Sequence, residues 1–143
     1  SGIRAPAIQK RVAREGLSNV RLTGKIPKHL AMDYFAACDV GLSLFVDIPE
    51  MEKNSANKFF DTLAAGKPVV INYGGWQKDF LAKTRVGIQL PRDIEQAKEN
   101  LTSFIKDDMH NLTANIVHEA AAPFGRDRVY AEVYQAISIA FNR

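Results

Sequence analysis

Two short, almost unbroken apolar runs, Val40–Phe45 and Pro68–Asn72, constrain this chain more than any other feature. Neither is long enough for a buried helix, and neither alternates apolar with polar residues. Each therefore reads as a strand covered on both faces. Such a strand needs paired edges and helices above and below, and the rest of the chain is patterned to supply them. Ala5–Glu15 reads as a helix stopped by Gly16, and Pro27 suits the first turn of another running to about Cys38. Ser55–Ala65 follows a polar loop at Asp47–Asn54 and carries an apolar stripe of Phe59, Phe60, Leu63 and Ala64. Asn19–Thr23 alternates and ends at Gly24, as a short strand would. Phe80–Thr84 predicts a short helix, Val86–Leu90 a last strand, Ile94–Lys106 a helix, and Leu112–Phe141 a long helical stretch with room for a break. Alternating strands and helices predict an α/β fold: a Rossmann-like, three-layer α/β/α domain with a mostly parallel sheet.

Composition bounds the function. A chain of 143 residues that is 46% hydrophobic and 24% charged has the make-up of one globular domain. Its longest uncharged runs fall short of a membrane span. Cys38 has no partner for a disulfide and reads as a small buried residue. No secretory signal is visible, which makes a cytoplasmic location the expectation. Residues 1–30 carry Arg4, Lys10, Arg11, Arg14, Arg21, Lys25 and Lys28 against Glu15 alone, a balance of +6, so the remainder sums to −3. The basic end suits a solvated helix face, and also peripheral contact with an anionic inner membrane surface. It contains no aromatic residue on which bases would stack, so nucleic acid is not expected as a partner.

Ligands of parallel sheets bind beyond the carboxyl ends of the strands, which directs attention to the loops after Thr23, Phe45 and Asn72. The second of these leads into Asn54-Ser-Ala-Asn-Lys-Phe-Phe-Asp, whose polar stripe is Asn54, Asn57, Lys58 and Asp61. Ser55 is placed to cap the helix, leaving the amides of Asn57 and Lys58 free. Free amides, the positive end of the dipole and the Lys58 ammonium suit a diphosphate, and Asp61 one turn deeper suits ribose hydroxyls. The same spacing also fits a capped surface helix with a Lys58–Asp61 ion pair. Gly74 and Gly75 permit either close approach of a ligand or a tight turn. Gly24-Lys25-Ile26 offers backbone to a nucleobase edge. His29, His110 and His118 have neither metal-ligand spacing nor a nucleophile beside them, and no metal is expected. Asn100-Leu-Thr and Asn111-Leu-Thr read as chance matches to a glycosylation pattern.

Taken in order, Gly16-Leu-Ser-Asn-Val-Arg-Leu-Thr-Gly-Lys-Ile-Pro, Tyr34-Phe-Ala-Ala-Cys-Asp-Val-Gly-Leu-Ser-Leu, Asn57-Lys-Phe-Phe-Asp, Ala64-Ala-Gly-Lys-Pro-Val-Val and Tyr73-Gly-Gly-Trp resemble the carboxy-terminal domain of retaining GT-B glycosyltransferases. The nearest flavour is family four, among bacterial enzymes of capsule, O-antigen or exopolysaccharide synthesis. The resemblance implies a donor-binding half that takes a nucleotide-sugar, with an amino-terminal acceptor domain elsewhere. It assigns Gly24, Lys25 and Ile26 to the base, Ser55, Asn57 and Lys58 to the diphosphate, Asp61 to the ribose, and Gly74 and Gly75 to the sugar. It names no catalytic residue and implies no cofactor or metal: the helix dipole and basic side chains would neutralise the leaving diphosphate. A sugar-nucleotide epimerase of the same architecture and a non-catalytic nucleotide-binding or interaction module are the alternatives. Lys53 stands where many members carry an acidic residue. Ser1-Gly2 aligns with the turn after the domain's second strand, so residues 1–143 correspond to a partial domain lacking its first β-α-β unit. In that family's sheet order, Asn19–Thr23 pairs with the absent second strand, and a longer protein or a second chain is expected to complete the sheet.

Overall fold

The computed structural model describes residues 2–141, which belong to two compact units, Ser1–Asp33 and Tyr34–Arg143.

The first unit holds α1 (Ala5–Arg14) and the start of α2 (Lys28–Ala37). Pro6 lies in the first turn of α1, where its missing N–H costs nothing. Arg14 and Arg11 both reach the Glu15 carboxylate, at 3.0 and 2.9 Å, and hold its pKa below the ordinary value. The strand expected at Asn19–Thr23 does not form. Asn19 lies in a turn closed by Val20 N–H donating to the Leu17 carbonyl, and Val20–Thr23 join no ladder among the described residues. The physical reason is that alternation specifies a face, whereas a strand exists only through a paired neighbour.

In the second unit three parallel strands, β1 (Gly41–Ser43), β2 (Val69–Ile71) and β3 (Gly87–Gln89), lie in the order β1-β2-β3. Each is the centre of a predicted run, trimmed where pairing ends. Register sets Gly41, Val69 and Gly87 in one row and Leu42, Val70 and Ile88 in the next, so side chains alternate between the two faces. On one face Val69, Ile71 and Tyr73 pack with Phe59 and Leu63 of α3 (Asn57–Ala64), Leu81 of α4 (Trp76–Thr84) and Val117 of α6 (Ala114–Ala121). On the other, Val70 and Leu90 pack with Phe104, Ala97 and Leu101, the last two on α5 (Ile94–Ser103). The unit is therefore α/β, with a parallel sheet between helical layers. Val40–Phe45 departs from its expectation on the second face, where Leu42 and Leu44 are 44% and 45% exposed. Cys38, expected to be buried, is only partly so and donates to the Phe35 carbonyl at 3.1 Å.

The helical segments differ in detail from these expectations. The polar loop at Asp47–Asn54 contains a 3-10 turn, Pro49–Lys53. The short helix expected at Phe80–Thr84 begins four residues earlier, at Trp76, because Gly75 turns the chain directly out of β2. The helix Ile94–Lys106 ends as α5 at Ser103 and passes through a π-helical turn, Phe104–Asp108, that carries buried Phe104 into the core. The long last stretch breaks at Pro123 and Gly125 between α6 and α7 (Arg126–Phe141).

Two close approaches fix the core. A side chain on Gly41 would collide with Thr62, which is fully buried on α3, so the glycine lets that helix lie against β1. Gly41→Ala is expected to cost about 1–3 kcal/mol, as overpacking does, with part recovered in Gly41→Ala/Thr62→Ala. Urea unfolding of the wild type and both variants measures this. Buried Tyr73 meets Ser43 Oγ at 3.2 Å, and burial raises its pKa above 10.0 while the Ser43 hydrogen bond pulls the other way. Above about pH 10 the unfolded chain gives up this proton while the folded chain keeps it. The unfolded state then binds fewer protons, so this contribution is complete below that pH and is lost as pH rises toward the folded pKa. Unfolding midpoints should fall across that range, and less steeply in Tyr73→Phe.

Candidate functional site at the carboxyl end of the sheet

The crossovers from β1 to α3 and from β2 to α4 bring both helix starts to the carboxyl end of the parallel sheet. They sit side by side. Phe59 on the first turn of α3 and Trp76 at the start of α4 have ring centroids 5.8 Å apart, and Phe60 stacks on Trp76 at 5.9 Å. A side chain on Gly75 would collide with the Glu52 carbonyl, and one on Gly74 would lie 3.1 Å from Glu52 Oε1. These glycines therefore serve an intramolecular approach: the turn before α3 occupies the space their side chains would need. Gly75 has φ +80, a left-handed conformation suited to glycine.

The ladder extends past Ile71 through a side chain. Phe45 N–H donates to Asn72 Oδ1 at 2.8 Å, and Asn72 Nδ2 donates back to the Phe45 carbonyl at 3.0 Å. Arg92 Nη1 donates to the same carbonyl at 3.1 Å, while its Nη2 pairs with Asp47 at 3.1 Å. A small polar cavity of about 320 Å³ opens here, lined among others by Asp47, Glu52, Asn72, Gly74, Lys78 and Arg92. Neither Asn72 nor Arg92 stands out as a site residue from the sequence alone. The signal was an amide ending an otherwise apolar run, and an arginine placed just after the last strand.

The residues singled out from the sequence distribute as follows. Ser55 does not cap α3: the capping position is Ala56, without a side-chain hydrogen bond, and Ser55 is exposed. Ala56 is buried in the core with Phe59, and that packing fixes where the helix begins. The helix start still leaves the Asn57 and Lys58 amides without intrahelical partners. Asn57 and Lys58 are exposed and Asp61 is half-buried. Lys58 and Asp61 form no ion pair with each other. Both stand outside the 320 Å³ cavity. Gly74 lines it. Gly24, Lys25 and Ile26 belong to the first unit, where Gly24 has φ +72 with open space around it. Among the described residues, no three His, Cys, Asp or Glu side chains gather as metal ligands, and no helix is long and apolar enough to cross a membrane.

No protein-family model, curated protein or solved structure matches this chain.

The Asn72 side chain is expected to hold the carboxyl end of β1 in place. Asn72→Ala leaves the Phe45 N–H unpaired and should cost about 1–3 kcal/mol. Amide exchange at Phe45 should accelerate while the amides at the centre of β2 stay protected.

Proposed function

We propose that this chain is the donor-binding part of a retaining, GT-B-type glycosyltransferase, one that passes a sugar from a nucleotide-sugar to a surface polysaccharide or lipid-linked acceptor. The motif order supports this reading from the sequence. The observation that carries it from the structure is the pair of adjoining helix starts at the carboxyl end of a parallel sheet. There the unbonded amides of α3 stand beside exposed Lys58, one turn from Asp61.

The chemistry assigned to these groups is electrostatic. Amides and ammonium would take up the negative charge that builds on the diphosphate as the glycosidic bond breaks. Asp61 would accept hydrogen bonds from the ribose. Donor base, donor sugar and acceptor are matters for screening with UDP, GDP and their sugars. Lys53, exposed at the end of its 3-10 turn, favours as a second reading a module that binds nucleotide without turning it over.

Trp76 is the one tryptophan of the chain, and its rings pack against Phe59 and Phe60. Its emission should therefore change when nucleotide settles on the α3 start. Lys58→Ala and Asp61→Ala should each weaken binding by about 1–3 kcal/mol, the size of a lost charged hydrogen bond. A nucleotide that binds the wild type and binds both variants equally well would remove α3 from the site.

A further inference from the structure

The last helix, α7 (Arg126–Phe141), buries none of its 16 residues, and every one except Ser138 is exposed. Seven of the exposed positions carry large apolar side chains. β-Branched and aromatic side chains lose rotamer freedom in a helix, and a helix of this length draws most of its stability from a packed face. α7 thus has the composition of a covered helix and, among the described residues, no cover.

Five of the seven share one stripe with Arg126. At 3.6 residues per turn, Arg126, Tyr130, Val133, Tyr134, Ile137 and Phe141 fall within about 100° of arc. Arg128, Glu132 and Gln135 stand on the far side, where Arg128 and Glu132 pair at 2.9 Å. The five apolar members are between 50% and 86% exposed. Together they offer roughly 600 Å², so two such stripes face to face remove about 1,200 Å², the lower end of the range for specific interfaces. Val129 flanks the stripe and adds to this area.

The stripe reads the same from both ends. Measured from its middle, between Val133 and Tyr134, Tyr130 and Ile137 lie equally far out, and so do Arg126 and Phe141. An antiparallel pair of α7 helices about a two-fold axis therefore sets each Tyr134 against Val133 and each Tyr130 against Ile137. It also sets each Arg126 over a Phe141 ring, a cation–π contact for a residue with no ion-pair partner among the described residues. A parallel pair would instead place tyrosine on tyrosine and the two Arg126 charges side by side. We propose that α7 is the docking face for a second copy of this chain, packed as an antiparallel, two-fold helix pair. The proposal does not rest on the nucleotide reading, since no residue of the stripe belongs to the site at α3 and α4.

Sedimentation velocity of the full chain between about 1 and about 300 µM should show the average mass rising from one chain toward two, as suits an interface of this size. Val133→Lys and Tyr134→Glu should each weaken self-association about tenfold or more by burying an unpaired charge. Mixing the two variants should restore association, because the antiparallel register brings the new cation of one chain against the new anion of the other and keeps one native Val133–Tyr134 contact. At about 1 µM, where mass action favours the single chain, both variants should unfold at the wild-type urea midpoint. A mass of one chain across the whole range overturns the proposal and leaves the face to a different protein. A mixture that stays monomeric overturns the antiparallel pair. A lowered urea midpoint in either variant would show the stripe packed within its own chain, and overturns it as well.

Discussion

Val69, Val70 and Ile71 retain no accessible surface, and the second unit is arranged around that fact. Three consecutive side chains in an extended segment point alternately to opposite faces, so burying all of them requires cover on both sides and pairing along both edges. Fully burying each contributes about 1.5–3 kcal/mol, and no other three consecutive apolar residues among the described ones are all fully buried. β1 and β3 satisfy the backbone of β2, α3, α4 and α6 cover one face, and α5 with its π-helical turn covers the other.

From this arrangement the chemistry follows by geometry. Parallel strands need crossovers, and each crossover delivers a helix start to the same end of the sheet. Two of these starts come close enough for Phe59 and Trp76 to pack edge to face, and Gly74 and Gly75 leave room for the turn that carries Glu52. Asn72 and Arg92 converge on the Phe45 carbonyl and hold the end of β1 beside the polar cavity. The unbonded amides and the exposed Lys58 charge stand at the start of α3, outside that cavity.

The run Pro68–Asn72 was legible because a strand buried on both faces leaves a signature that depends on local composition alone, whereas Val40–Phe45 was legible as a strand but not in its burial, since Leu42 and Leu44 stay nearly half exposed. The helix at Phe59–Leu63 was legible for the same reason, through its stripe. What the sequence misplaced depended on partners. Asn19–Thr23 has the alternation of a strand without a neighbour to bond it. Ser55 has the side chain of a cap, yet the burial of Ala56 decides where the helix starts. Gly74 and Gly75 suit either a ligand's approach or a tight turn, and only the fold shows that Glu52, more than twenty positions earlier, lies against them, with its side chain at Gly74 and its backbone at Gly75.

The sequence by itself determined the α/β class, the order of the elements, and the polar residues available at the head of α3. Each of these follows from short-range periodicity and from which side chains tolerate water. Only the tertiary structure decided which glycines are filled from within, and that the amide of Asn72 pairs with the backbone of Phe45. Those outcomes rest on contacts between residues far apart in the chain, and a local pattern of hydropathy carries no information about which distant groups will meet.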